Sequence, residues 1–136
     1  MNARLAGRAI GAALALLGAA PLAAQDYPKG PLRMVIPWPP GGVTDTVARA
    51  MSAALSESFG RPVIPENRPG AAGTVGVAVV AKAVPDGLTL MMTDVPSLAI
   101  SATLYRTLPY DTLRDFAGIT RFANVPSILV VAPASG

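Results

Sequence analysis

The sequence predicts an α/β fold with a mostly parallel sheet, and three observations carry that expectation. Short apolar runs of strand length alternate with longer stretches whose apolar residues recur every fourth position. The connections are short and rich in Pro and Gly, and the resulting order is βαβαβ. An alternation of this kind places helices on the sheet faces and ligands at the carboxyl ends of the strands.

The first 24 residues stand apart from the rest. Arg4 and Arg8 form a basic start, Ala9 to Ala20 carry no charge, and Pro21-Leu22-Ala23-Ala24 supplies small residues for cleavage. That pattern reads as a secretory signal peptide cleaved after Ala24, because the apolar stretch is well short of the ~20 residues a membrane span needs. Export to the periplasm follows from it.

Leu32 to Ile36 reads as a buried strand, and a helix is expected from Thr46 to Phe59 with Thr44 as its N-cap. Val47, Met51, Leu55 and Phe59 fall on one face of that helix, and Gly60 followed by Pro62 ends it. A short strand around Val63-Ile64 leads to a polar turn, Glu66 to Gly70, and a second helix is expected from Thr74 to Val84, with Val75, Val79 and Ala83 facing one way. Pro85-Asp86-Gly87 reads as a turn, since Pro pre-sets one φ and Gly tolerates a positive one. It feeds a third strand, Leu88 to Thr93, and then a helix over Leu98 to Leu104. Pro109-Tyr110-Asp111 breaks the pattern, and two apolar runs follow, Ala117 to Phe122 and Ser127 to Ala132.

Composition removes several kinds of chemistry. The 136 residues include no Cys and no His, so no disulfide framework, Cys/His zinc site, Cys nucleophile or His base can be built. Net charge is +3, but with Arg4 and Arg8 in the leader nine bases face eight acids in the remaining 112 residues. Those bases are scattered singly from Lys29 to Arg121, which gives no stripe for nucleic acid and no basic amphipathic face for a membrane surface. No metal or cofactor is implied.

The most informative segment is Pro37-Trp38-Pro39-Pro40-Gly41-Gly42-Val43-Thr44-Asp45, which joins the first strand to the first helix. Prolines stiffen the strand exit, and the glycine pair lets backbone approach a bound group. The helix start then turns unpaired N–H groups toward an anion, and small carboxylates are natural guests. Similar polar ends follow strand two, Gly70 to Gly76, and strand three, Thr93-Asp94-Val95-Pro96-Ser97. Three helix starts would then add their partial positive charges over one site. Plainer roles remain open at each: a tight turn at Pro39 to Gly42, capping by Thr44 and Asp45, close helix–strand packing at Gly70 to Gly76, and packing at Trp38. Met91 and Met92 are expected in the core, and Arg68 and Lys82 in solvent.

Four motifs in order carry a resemblance. Tyr27-Pro28 and Pro31 lead to Pro37-Trp38-Pro39-Pro40-Gly41-Gly42 with Thr44-Asp45. Then come Glu66-Asn67-Arg68-Pro69-Gly70-Ala71 with Gly73, Ala81-Lys82-Ala83 with Pro85-Asp86-Gly87 and Thr89-Leu90, and Leu108-Pro109-Tyr110-Asp111. Together they resemble the Bug-type (TctC-like) extracytoplasmic solute receptors of tripartite tricarboxylate transporters. The resemblance implies a type II periplasmic-binding-protein-like lobe, incomplete here, because those proteins are more than twice as long and close two α/β lobes on a small carboxylate or related solute. On that reading residues 1–24 are the signal peptide, 25–124 the first part of lobe one, and 125–136 the start of the crossing toward a second lobe.

The resemblance also implies a site. The loop from Trp38 to Asp45 corresponds to the first-lobe clamp on the ligand carboxylate, with N–H groups from Gly42, Val43 and Thr44 and a hydroxyl from Thr44. Gly73 and Thr74 would add a second helix start, and Thr93, Asp94 and Ser97 a third. Relatives often have Gly or Ser at the position of Val43, and Ser or Gly-rich sequence near Asp94. A carboxylate at Asp94 opposes a wholly anionic ligand, which tilts the expectation toward amino-bearing or neutral solutes.

The function so implied is binding without catalysis: a monomeric periplasmic receptor that delivers a carboxylate-type solute to membrane transporter subunits. A ligand-sensing module for a membrane signalling partner and a non-functional truncated fragment are the alternatives. An enzyme such as a phosphate or acyl transferase would need a nucleophile beside a base, and the sequence offers no His, no G-x-S-x-G and no metal cluster.

Overall fold

The structure is a computed structural model that describes residues 27–124 and 128–130. The expected signal peptide therefore lies outside the described residues, as do Ser127, Val131 and Ala132 of the second apolar run.

Three parallel strands form the sheet: β1 (Leu32–Ile36), β2 (Val63–Asn67) and β3 (Thr89–Met91), in spatial order β2-β1-β3. The register pairs Leu32 with Val63 and Ile36 with Asn67 on one side, and Arg33 with Thr89 and Val35 with Met91 on the other. The βαβαβ order read from the sequence is borne out. β1 has the predicted bounds, β2 runs into what was expected to be a turn, and β3 is shorter at both ends.

The first helix, α1 (Val43–Phe59), begins three residues before the expected start. Gly42 is its N-cap, with φ −77° and ψ 171°, and the first intrahelical bond runs from Thr46 N–H to Gly42 O at 3.0 Å. Thr44 is thus the second helical residue and not the cap. Gly60 ends the helix in the left-handed region at φ 59°, as its position predicts. The face buried most deeply carries Asp45, Ala48 and Ser52, while Val47, Met51, Leu55 and Phe59 are half-buried along its flank. Small side chains at the centre let α1 sit close on the sheet.

Leu32, Met34 and Ile36, on one pleat of β1, form the core with Ala48 and Val63. Trp38, Leu55, Phe59, Leu88, Leu90 and Met92 surround that cluster. On the opposite pleat Val35 is fully buried, and α2 (Thr74–Ala81) lies over it with Val77 inward. Val75 is exposed, contrary to the expected helix face, and α2 ends three residues early. The cause is Gly76: a Cβ there would lie 2.7 Å from the Arg68 carbonyl oxygen and 2.8 Å from Pro37 Cα. The close approach of helix to strand at this glycine sets which residues turn inward. Met91 is only half-buried.

At the outer side of β2, the Val63 N–H donates to Ser56 Oγ at 2.8 Å, and two residues on Pro65 has no N–H. The inner side faces β1: Leu32 N–H donates to Pro62 O and Arg68 N–H to Ile36 O. After β3, a π-helical turn, Pro96–Ile100, runs into α3 (Ser101–Leu104), so helical structure begins earlier than predicted. Ser101 Oγ donates to Pro96 O, five residues back, at 3.0 Å. Ala117 to Phe122 forms no regular structure, and Ile119 and Phe122 are exposed.

Candidate functional site

The strand order decides where a ligand can enter. From β1 the chain crosses to β2 on one side, then passes back over β1 to β3 on the other, with α1 and α2 on opposite faces. The loops leaving β1 and β3 therefore diverge, and a crevice opens at their carboxyl ends. A cleft of about 440 Å³ lies there. One wall is the proline-glycine loop, Trp38, Pro39 and Pro40, with the helix start Gly42, Val43 and Thr44; the other is Asp94 and Pro96.

Four of the expected site residues, Trp38, Gly42, Val43 and Thr44, meet Asp94 across this cleft. The N–H groups of Val43, Thr44 and Asp45 precede the first intrahelical bond and have no acceptor among the described residues. Trp38 adds an indole N–H that is buried and unpartnered among the same residues. The start of α1 thus offers donors, as an anion requires.

The remaining expected residues take other positions. Asp45 is buried, and its carboxylate is fully engaged: Oδ2 accepts the Gly41 N–H at 2.9 Å, Oδ1 accepts Asn67 Nδ2 at 2.8 Å, and Arg49 Nε reaches both oxygens at 3.0 Å. The hydrogen bond from Arg49, then those from Gly41 and Asn67, hold this carboxyl well below the usual carboxylate range, while Asp45 pushes Arg49 up. Asp45 is therefore a strut for the loop, and it is not among the residues that line the cleft.

Gly73 and Thr74 stand behind the cleft as well. Thr74 is buried with its hydroxyl on Ala71 O at 2.9 Å, and a Cβ on Gly73 would lie 2.5 Å from Ser97 Oγ. The packing reading of Gly70 to Gly76 thus has a direct geometric basis in these contacts. Ser97 is fully buried and its Oγ donates to Asp94 Oδ1 at 2.8 Å; Thr93 Oγ1 is buried without a partner among the described residues. Of the three expected helix starts, that of α1 lines the cleft, and Gly73 and Thr74 at the start of α2 are not among its lining residues. The short α3, preceded by a π turn, supplies no comparable dipole.

Two residues of the site were not singled out in the sequence. Arg49 was legible, since an acid and a base four apart on a helix pair readily. Asn67 was not, because its role depends on which strand lies beside β1. Its Nδ2 donates to Trp38 O at 3.0 Å as well as to Asp45, and its Oδ1 accepts Arg49 Nη2 at 2.8 Å. Beside it Glu66 pairs with Arg33 at 2.6 Å and with Arg68, which holds its carboxyl below the ordinary value, chiefly through Arg33. Arg68 is exposed as expected, yet paired. At the far end Tyr110 is buried and donates to Ser97 O at 3.2 Å, and burial pushes its hydroxyl up.

Known proteins share this arrangement. The family described as the tripartite tricarboxylate transporter family receptor, TctC, matches residues 47–136. Protein BugT of Bordetella pertussis is 40% identical over 126 residues, which are 91% of this chain and 39% of that protein. MatC of Rhodopseudomonas palustris, solved with bound malate, is 37% identical with a TM-score of 0.63 over 66% of this chain and 31% of its own. A second R. palustris protein, solved with adipate, is 34% identical with a TM-score of 0.61 over 64% of this chain and 29% of its own. The chain spans about two fifths of the length of BugT. With parallel strands, a crevice at their carboxyl ends and a family match over most of its length, this chain belongs to the TctC family of tripartite tricarboxylate transporter receptors.

Proposed function

We propose that the chain forms the first part of lobe one of a periplasmic receptor that binds a small carboxylate or related organic solute. The complete receptor delivers that solute to the membrane subunits of a tripartite tricarboxylate-type transporter. The observation that carries this reading is the start of α1: three N–H groups without protein acceptors, two of them on residues that line a cleft at the carboxyl ends of β1 and β3. A helix N-terminus of this kind stabilises an anion by roughly 0.3–1 kcal/mol when exposed and up to about 2 when partly buried. Relatives solved with malate and adipate support a carboxylate as the guest.

The mechanism is binding without chemistry. The loop and helix dipole fix the carboxylate, and a second lobe closes over it by hinge motion, excluding water and adding contacts. Both walls of this cleft belong to one lobe, so residues 25–136 taken without the closing lobe bind weakly.

Thermal unfolding of the mature fragment and of the protein from the full reading frame containing residues 1–136, against di- and tricarboxylates, nicotinate-like acids and amino acids, tests the reading. A ligand-dependent rise in midpoint confined to the longer protein is expected. A comparable rise in the fragment alone would remove the need for a second lobe, and no rise in either would end the receptor reading.

A further inference from the structure

Asp94 is the single ionisable residue on the walls of the cleft, and its charge is opposite to what a carboxylate receptor would call for. Among the described residues no Lys or Arg pairs with it. Its Oδ1 accepts from Ser97 Oγ at 2.8 Å and Ser97 N–H at 3.4 Å, while Oδ2 takes no hydrogen bond from any described residue.

This carboxylate is held in place, not left as a stray surface charge. Ser97, which grips it, has no exposed surface. Gly73 packs so tightly on Ser97 that a Cβ would clash with the hydroxyl at 2.5 Å, and Tyr110 donates to the Ser97 carbonyl at 3.2 Å. Buried packing thus fixes one oxygen of Asp94 and leaves the other available in a residue that lines the cleft.

The two walls ask for opposite charges on one guest. The N–H groups of Val43 and Thr44, at the positive end of the 17-residue α1, favour an anion. Asp94 favours a cation, and it repels any solute that is anionic throughout. Resting on the receptor reading above, we infer that the solute is an amino-bearing carboxylate, its carboxylate toward the start of α1 and its ammonium toward Asp94. Asp94 is then the residue that separates amino acids from plain organic acids.

The test uses the protein from the full reading frame that contains residues 1–136 and matched probes differing only by the amine: aspartate and succinate, glutamate and glutarate, phenylalanine and hydrocinnamate. Affinities are measured by calorimetry at neutral pH. The amino member of at least one pair is expected to bind more than about tenfold tighter than its partner. Asp94→Asn, which keeps an acceptor toward Ser97, should weaken that member roughly 10- to 100-fold, as loss of a hydrogen bond to a charged group does. The plain acid should bind Asp94→Asn as well as or better than wild type. Asp94→Ser, shorter and also uncharged, should behave the same way.

The wild-type selectivity stands even if a variant fails to fold. Equal or tighter binding of the plain acids by wild type overturns the inference and leaves the receptor reading intact. An amine preference that both folded variants retain removes Asp94 as its cause and also overturns it. Binding of no probe, with none in the wider panel, overturns the receptor reading and this inference together.

Discussion

A single amide nitrogen, Nδ2 of Asn67, donates to the Trp38 carbonyl at 3.0 Å and to Asp45 Oδ1 at 2.8 Å, and so ties both ends of the proline-glycine loop to the end of β2. Arg49 closes the ring by holding Asp45 and the other atom of the Asn67 amide. The loop that lines the cleft is thus ordered by three side chains that do not line it.

Asn67→Ala removes both donations at once and leaves the Trp38 carbonyl without its partner. The expected cost is about 1–3 kcal/mol, the range for stranding a part-buried polar group. Chemical denaturation measures it, and amide exchange at Gly41 should quicken more than exchange along β1. Equal protection of Gly41 in variant and wild type would show that the loop is ordered by something else.

The Asp45 network makes loop stability depend on pH with a definite sign. The folded-state carboxyl lies below its ordinary value of 3.8, so its stabilisation is complete above that value and is lost as pH falls through it toward the lower folded value. Asp45→Asn should therefore be less stable than wild type at neutral pH, and the gap should close progressively below about pH 4. Unfolding midpoints across pH 2 to 7 check this, and a gap that holds constant to the acid end of that range would exclude Asp45 as its origin.

Gly76 and Gly118 separate crowding from chain entropy. A Cβ at Gly76 would sit 2.7 Å from the Arg68 carbonyl oxygen and 2.8 Å from Pro37 Cα, whereas one at Gly118 meets nothing within 4 Å. Gly76→Ala should cost about 1–3 kcal/mol through displaced backbone, and Gly118→Ala less than about 0.5. Thermal melts of the two variants give the comparison. Similar midpoints would mean that α2 shifts away from Pro37 at little cost.

Val43→Pro tests the anion site without attacking the fold. Val43 is the first helical residue, where proline is well tolerated, and Gly42 before it is extended, as the residue preceding proline must be. The substitution deletes one N–H on the cleft wall. Stability should be unchanged to within about 0.5 kcal/mol, while carboxylate affinity in the full-length protein falls roughly 5- to 10-fold, the worth of one hydrogen bond. Unaltered affinity would place the guest elsewhere.

Much of this was legible in the sequence because it is local. Leu32 to Ile36 is an unbroken apolar run, Gly60 is a glycine where a helix must stop, and the loop at Pro37 to Gly42 announces itself by residue type. What was not legible depends on the neighbour across space. The Glu66-Asn67 pair reads as turn but is strand, because it has β1 beside it and Arg33 to pair with. Val75 reads as core, but Gly76 decides which face of α2 approaches Pro37. Thr44 has the chemistry of a cap, and Gly42 takes that position because the backbone is already extended there. The cleft divides along the same line: the loop residues that line it are named from the sequence, and the support from Asn67 is not.

The two borders of the sheet are not equivalent. Outward N–H groups along β2 would come from Val63, Pro65 and Asn67, but Ser56 occupies the first and proline abolishes the second, which leaves only that of Asn67. A further strand finds few donors on that side, which protects the sheet from edge-to-edge aggregation. On β3 the outward positions, Thr89 and Met91, keep their backbone groups free of any strand among the described residues. The sheet is therefore polar in its capacity to grow: an added strand finds more free backbone past β3, beside the cleft, and residues that arrive there come within reach of whatever Asp94 and α1 hold.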